Sequence, residues 1–214
     1  MSIKDNIARV RARIGVPGVK LVAVIKNIAL DDVYRALEAG VTDLAENRVQ
    51  EAVGRVGLIR EKFPGTTIHF IGHLQRNKVG QAVELFDIIQ TVDSERLVLA
   101  LDAKAGAAGK TMPVLIEVNV SGEASKYGIP RVAAAGLIRS VAGLKNLKLK
   151  GLMTMAPSGN AGPSFQGLKD FRDSIHLSDV DLSCLSMGMS DDFEIAIAHG
   201  SNLVRIGRAI FKGE

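Results

Sequence analysis

The feature that most constrains this chain is an alternation. Strand-like segments recur at 19–25, 42–46, 66–71, 87–91, 113–120, 147–153, 182–186 and 203–206, each separated from the next by one helix-length stretch. Asp31 to Gly40 shows the intervening type, with acids in its first turn and a glycine stop. Strands joined through helices run parallel, because a parallel neighbour needs a crossover rather than a tight turn. Repeated eight times, that unit closes into a (β/α)₈ TIM barrel. The expectation is therefore α/β: a single barrel domain over 1–214, with an extra N-terminal helix over about residues 2–14. A doubly wound open sheet is the alternative, but no G-x-G-x-x-G follows the first strand.

Composition narrows the function. The chain has 214 residues, 47% of them hydrophobic, enough to bury a sizeable core. Its net charge of +4 comes from scattered residues, and only 4% are aromatic, which disfavours a base-stacking platform. A basic pocket for a phosphorylated small molecule explains that charge equally well. Cys184, the one cysteine, lies in the apolar run Leu182 to Leu185, so it reads as a core hydrophobe in a reducing compartment. The N-terminus has no signal-peptide core, and no apolar run reaches bilayer length. A cytoplasmic protein with neither membrane nor nucleic-acid partner is expected.

In a barrel of this kind the chemistry gathers at the carboxyl ends of the strands. The run Val19 to Ile25 reads as a strand buried on both faces, and Lys26 closes it. A lysine amine desolvated in such a mouth is a nucleophile for an aldehyde or ketone. The plainer reading has Lys26 snorkelling into water. Beyond the other strands stand Glu46 and Asn47, His73, Thr91 and Asp93, Asn119 and Ser121, Thr154, Ser186 and Gly188, then Arg205 and Gly207.

Two of these places are sharper. Leu185 to Asp192 and Leu203 to Ile210 follow the seventh strand and span the eighth, where this fold usually holds phosphate. Ser186 and Arg208 are expected to contact it directly, and Ser190 or Asp191 to cap the helix that follows. Other signatures fail. Gly109-Lys110-Thr111 has Lys104 where a P-loop needs glycine, and Asp192 breaks a nucleophile elbow. His69 and His73 lie across a strand end with no ligand cluster beside them, so a metal site is not expected.

Together the segments resemble the pyridoxal phosphate homeostasis proteins, whose fold is like the N-terminal barrel of alanine racemase. The matching stretches are Leu21 to Lys26, Glu46 to Glu51, His69 to Lys78, Val114 to Ser121, Ser125 to Ile129, Gly151 to Met153, Leu185 to Asp192 and Val204 to Phe211. The resemblance implies that Lys26 holds pyridoxal 5′-phosphate (PLP) as a Schiff base. It places Asn47 near the ring, Arg205 at the pyridine nitrogen, and Ser186, Gly207 and Arg208 around the phosphate. The full expected cofactor set is Lys26, Asn47, His73, Ser186, Met187, Gly188, Arg205, Gly207 and Arg208, with no catalytic residue. An arginine donates to the pyridine nitrogen without protonating it, so the ring stays a poor electron sink. Departures from the family pattern are Ile25 for serine, Asn27 for threonine, Arg208 for threonine and Leu44-Ala45 for Phe-Gly.

The function so implied is intracellular PLP homeostasis without significant turnover, PLP-dependent apoenzymes being candidate recipients. Racemase-like relatives carry a second domain with a catalytic tyrosine. Here the chain stops at Glu214 just past the barrel, and its tyrosines are Tyr34 and Tyr127. An open mouth with no covering domain is compatible with a monomer. The alternative is a PLP-dependent amino-acid racemase of low activity, with Lys26 as one base and His73 or Tyr127 as the other. A cofactor-free lyase acting through Lys26 on a phosphorylated sugar is a third reading. A nucleic-acid binder, allowed by a pI near 9.3, is a fourth.

Overall fold

The computed structural model describes residues 1–123, 126–177 and 180–213. Ser2 opens α1 (Ile3–Ile14) through a capping box: its hydroxyl accepts from the Asp5 N–H, and the Asp5 carboxylate accepts from the Ser2 N–H. Then follow β1 (Lys20–Val24), α2 (Leu30–Glu38), β2 (Asp43–Glu46), α3 (Val49–Val53), α4 (Val56–Lys62) and β3 (Thr67–Phe70). A 3₁₀ turn at Arg76–Lys78 leads to α5 (Val79–Leu85), β4 (Ile88–Val92), α6 (Glu95–Ala107) and β5 (Met112–Asn119). The short β6 (Ile129–Pro130) precedes α7 (Arg131–Ala142), β7 (Leu147–Met153), α8 (Gly162–Asp173) and β8 (Cys184–Ser186). The chain finishes with α9 (Phe193–Ala198), β9 (Leu203–Ile206) and α10 (Arg208–Phe211).

The strands pair in parallel in the ring β1-β2-β3-β4-β5-β7-β8-β9, with β9 returning to β1 and β4 joined to β5. This is the expected closed (β/α)₈ barrel. β6 stands outside the ring, pairing only with the end of β5 through Val118 and Ile129. The segment between β2 and β3 holds two helices where one was expected, and β8 is three residues long rather than five. The two ends of the chain meet where the Asn6 amide donates to the Ile210 carbonyl at 2.9 Å.

Alternation along the strands sorts the core. Ala23, Leu44, Ile68, Phe70, Ile89, Ile116, Leu185, Val204 and Ile206 join the apolar faces of the helices in one cluster. Val22, Val24, Ala45 and Leu203 form a second, small cluster with Ile71 and Cys184. Burial pushes the Cys184 thiol up to about 11, which keeps it protonated and unreactive. Polar side chains share the barrel interior. Asp43, His69, Gln90, Ser186 and Arg205 are all buried, and Ser186 on β8 bonds Gln90 on β4. Those two strands are not neighbours, so the bond crosses the lumen.

Candidate functional site

The carboxyl ends of the strands surround a cavity of about 830 Å³, lined among others by Lys26, Asn47, His73, Glu117, Tyr127 and Arg205. Lys26 lies in the turn after β1, next to Asn27 at φ 57°, a left-handed conformation asparagine tolerates better than most residues. Arg55 pins that turn from outside. Its guanidinium donates to the Ile25 carbonyl at 3.2 Å, the Ile28 carbonyl at 2.7 Å and the Glu46 carboxylate at 2.8 Å. Lys26 itself is exposed, so the desolvation expected of it is absent. Its place is set by the clamped turn rather than by burial.

Asn47 follows β2, and its Oδ1 is buried without a partner, an acceptor in the cavity wall that no protein group satisfies. Gly72 makes that wall possible: a Cβ there would fall 1.9 Å from the Asn47 carbonyl oxygen, so only glycine lets the two chains pass. The Thr91 hydroxyl fixes Gly72 by donating to its carbonyl at 2.6 Å. At the mouth, His73 stacks on Tyr127 with centroids 4.5 Å apart, and His73 Nδ1 lies 3.6 Å from Asp93. Asn119 shapes the loop bearing Tyr127, donating to the carbonyls of Glu123 and Lys126. Ser125, part of the expected motif there, lies outside the described residues.

Arg205 closes the floor. Burial lowers its pKa to about 10, with Glu117 opposing that fall, so it remains a cation near neutral pH. Burial pushes the Glu117 carboxyl up to about 7 against the pull of Arg205. Burial does the same to Glu46, also to about 7, against the pull of Arg55. Neither Glu117 nor Arg55 was anticipated as part of the site. Glu117 alternates with outward-facing apolar residues along β5, and a charge inside an apolar run was the signal available.

The loops after β8 and β9 differ from expectation. The Ser186 hydroxyl turns into the barrel, donating to Gln90 at 2.6 Å and accepting from Arg205 at 2.5 Å. It is not presented at the mouth as a direct phosphate contact, because both of its bonds are made in the lumen. Met187 and Gly188 are buried beneath the loop, and a Cβ on Gly188, at φ +97°, would meet Ala196 at 2.7 Å. The helix expected to be capped by Ser190 or Asp191 starts later, at Phe193, with Asp192 at its cap. Ser190 is instead buried, its hydroxyl accepting from the Ala209 N–H at 3.3 Å beside Gly207. Arg208 is exposed and paired with Asp191. Lys26, Asn47, His73 and Arg205 thus meet at one cavity and Ser186 bonds Arg205 beneath it, while Met187, Gly188, Gly207 and Arg208 are not among the residues that line it.

The family described as alanine racemase, N-terminal domain, matches this chain over residues 1–214. Among curated relatives, the pyridoxal phosphate homeostasis protein of Pasteurella multocida is 35% identical over 226 aligned positions, covering 99% of this chain and 97% of its own. That of Vibrio alginolyticus is 38% identical over 199, covering 90% and 85%. PipY of Synechococcus elongatus, solved without PLP, superposes with a TM-score of 0.92 at 32% identity over 98% of this chain and all of its own. Its PLP-bound form gives 0.87 at 30% identity over the same shares. The chain belongs to the pyridoxal phosphate homeostasis protein family. An alanine racemase of Clostridium difficile, at 15% identity and TM-score 0.80, shares the fold.

Proposed function

We propose that this protein binds PLP in the cavity and holds it for intracellular supply without turning over a substrate. The observation that carries the reading is the meeting of Lys26, the unpartnered Asn47 Oδ1 and the buried Arg205 at one cavity. These groups fit the cofactor's aldehyde, ring substituents and pyridine nitrogen. Its phosphate would lie against Ser190, Gly207 and the backbone of Arg208, with His73 at the ring's open side. When bound, PLP supplies an aldehyde that condenses with the lysine amine and a ring able to withdraw electrons.

The protein's residues limit that second capacity. Arg205 keeps its protons, so it would hold the ring nitrogen by donating to it and would leave the ring a weak electron sink. Arg55 and Asn27 hold the Lys26 turn open to the mouth. The homeostasis names of the curated relatives, and the PLP-bound PipY structure, support a binding role. We read this protein as a cytoplasmic monomer that passes PLP to PLP-dependent apoenzymes. No helix among the described residues is long and apolar enough to cross a membrane. The racemase alternative would need His73 or Tyr127 as second base, and these rings are stacked on each other at the mouth.

The test is the visible spectrum with PLP, before and after borohydride. The wild type should show a cofactor band that borohydride fixes covalently, and Lys26→Ala should lack both. An identical band in the variant, or none in either, would refute the reading. Steady Lys26-dependent racemisation of an amino acid would move the racemase forward.

A further inference from the structure

Beneath the cavity, six side chains from six strands cross the barrel in one unbroken line. Lys20 Nζ on β1 donates to Asp43 Oδ1 at 3.0 Å, and His69 Nε2 lies 2.9 Å from the same oxygen. His69 Nδ1 is 2.7 Å from Gln90 Nε2, Gln90 Oε1 is 2.6 Å from Ser186 Oγ, and Ser186 Oγ is 2.5 Å from Arg205 Nη1. All but Lys20 are buried.

With the His69 ring neutral, the chemistry of the two ends fixes the direction of every bond. A carboxylate only accepts, so His69 Nε2 must donate to Asp43 and Nδ1 is left as an acceptor. Gln90 then turns its NH₂ toward His69. Reversed, the amide would set its carbonyl against a bare ring nitrogen, two acceptors face to face. The Gln90 carbonyl is therefore free to take the Ser186 hydroxyl proton, and the Ser186 lone pairs are left for Arg205, which only donates. The other arm of the guanidinium bonds the Thr154 carbonyl at 3.0 Å, and the Thr154 hydroxyl donates to Val118 O at 2.8 Å. Ser186 and Thr154 thus set the plane of Arg205 and leave its remaining N–H groups for the cavity.

We propose that Gln90, backed by His69 and Asp43, is a positioning residue for Arg205: the line orients the Ser186 hydroxyl, and that oxygen aims the guanidinium at the ring nitrogen of a pyridine ligand. The inference rests on the PLP reading above. Gln90 touches no ligand, and it acts through Ser186 alone.

The experiment compares PLP dissociation rate and absorption maximum in wild type, Gln90→Leu, Gln90→Glu, Ser186→Ala and Arg205→Gln, each checked for folding by thermal melting without cofactor. A buried guanidinium arm that loses its acceptor changes binding about tenfold. Gln90→Leu and Ser186→Ala should therefore release PLP on the order of tenfold faster and displace the band in the same direction as Arg205→Gln. Gln90→Glu keeps an acceptor for the Ser186 hydroxyl once a proton is held between its other oxygen and His69 Nδ1, so it should restore both readouts toward wild type as pH falls. Wild-type rate and band in Ser186→Ala would overturn the inference, and this holds even where Gln90→Leu fails to fold. So would a Glu variant that stays as impaired as the Leu variant at acidic pH, where the added proton completes the bond to His69, since that would show a packing role. Absence of any PLP band in wild type would instead remove the underlying function, and is seen before the variants are compared.

Discussion

Replacing Glu117 by glutamine should make the protein progressively more stable than wild type as pH rises from about 4.5 to 7. Glu117 is 3% exposed in the wall of the cavity, and burial pushes its carboxyl from 4.5 up to about 7, with Arg205 opposing and Asp93 adding to the rise. Between those values the folded chain holds a proton that the unfolded chain has released. The stability that Glu117 contributes is thus fully present below 4.5 and lost as pH rises toward 7, at about 1.4 kcal/mol per pH unit. Over the window the loss is about 3 kcal/mol, and above pH 7 both states are ionised and the slope ends. Glutamine has the same shape and no proton to lose. Urea denaturation of the two proteins across pH 4.5 to 8 measures the difference directly, and contributions from Glu46 and Asp43 cancel. A flat difference would mean that Glu117 titrates normally in the folded state. A glutamine variant that loses ground with pH would mean that attraction to Arg205 outruns the cost of burial.

Other substitutions probe the rest of the framework. Arg55→Ala leaves the buried Glu46 carboxylate unpaired, and should cost about 3 kcal/mol at pH 8 but less at pH 5, where Glu46 is protonated; urea midpoints at the two pH values check it. Gly72→Ala drives a methyl into the Asn47 backbone, and should cost about 3 kcal/mol and weaken PLP retention, read by thermal melting with and without the cofactor. Burial raises the Asp43 carboxyl, but hydrogen bonds from His69, Lys20 and Thr42 outweigh it and hold it at about 2. The resulting stability, about 2 kcal/mol, is present above 3.8 and lost as pH falls toward 2, so Asp43→Asn should flatten the acid limb of the stability curve.

The residues around the cavity were legible because they end strands. Apolar runs mark where strands lie, and in a parallel barrel the residues just past each run come to the same mouth, which is how Lys26, Asn47 and His73 meet, while Arg205 reaches the cavity from within β9. Ser186 shows the limit of that logic. It is the last residue of β8, and the period of two says only that its side chain points opposite to those of Leu185 and Met187. Glu117 and Arg55 were missed for related reasons. One is a charge inside a strand, and the other lies on a helix-to-helix link that returns to touch the first turn of the barrel.

What the sequence determined by itself is the order of strands and helices, the number of units, and the polar residue waiting at each strand's end, because these follow from local periodicity and chain connectivity. What only the tertiary structure decided is which side chains share the lumen. Ring closure brings Gln90 to Ser186 across 96 residues of chain, and sets a hydrogen-bond line from Lys20 to Arg205. No segment encodes that line, since each of its bonds joins two different strands and exists only once the sheet has closed on itself.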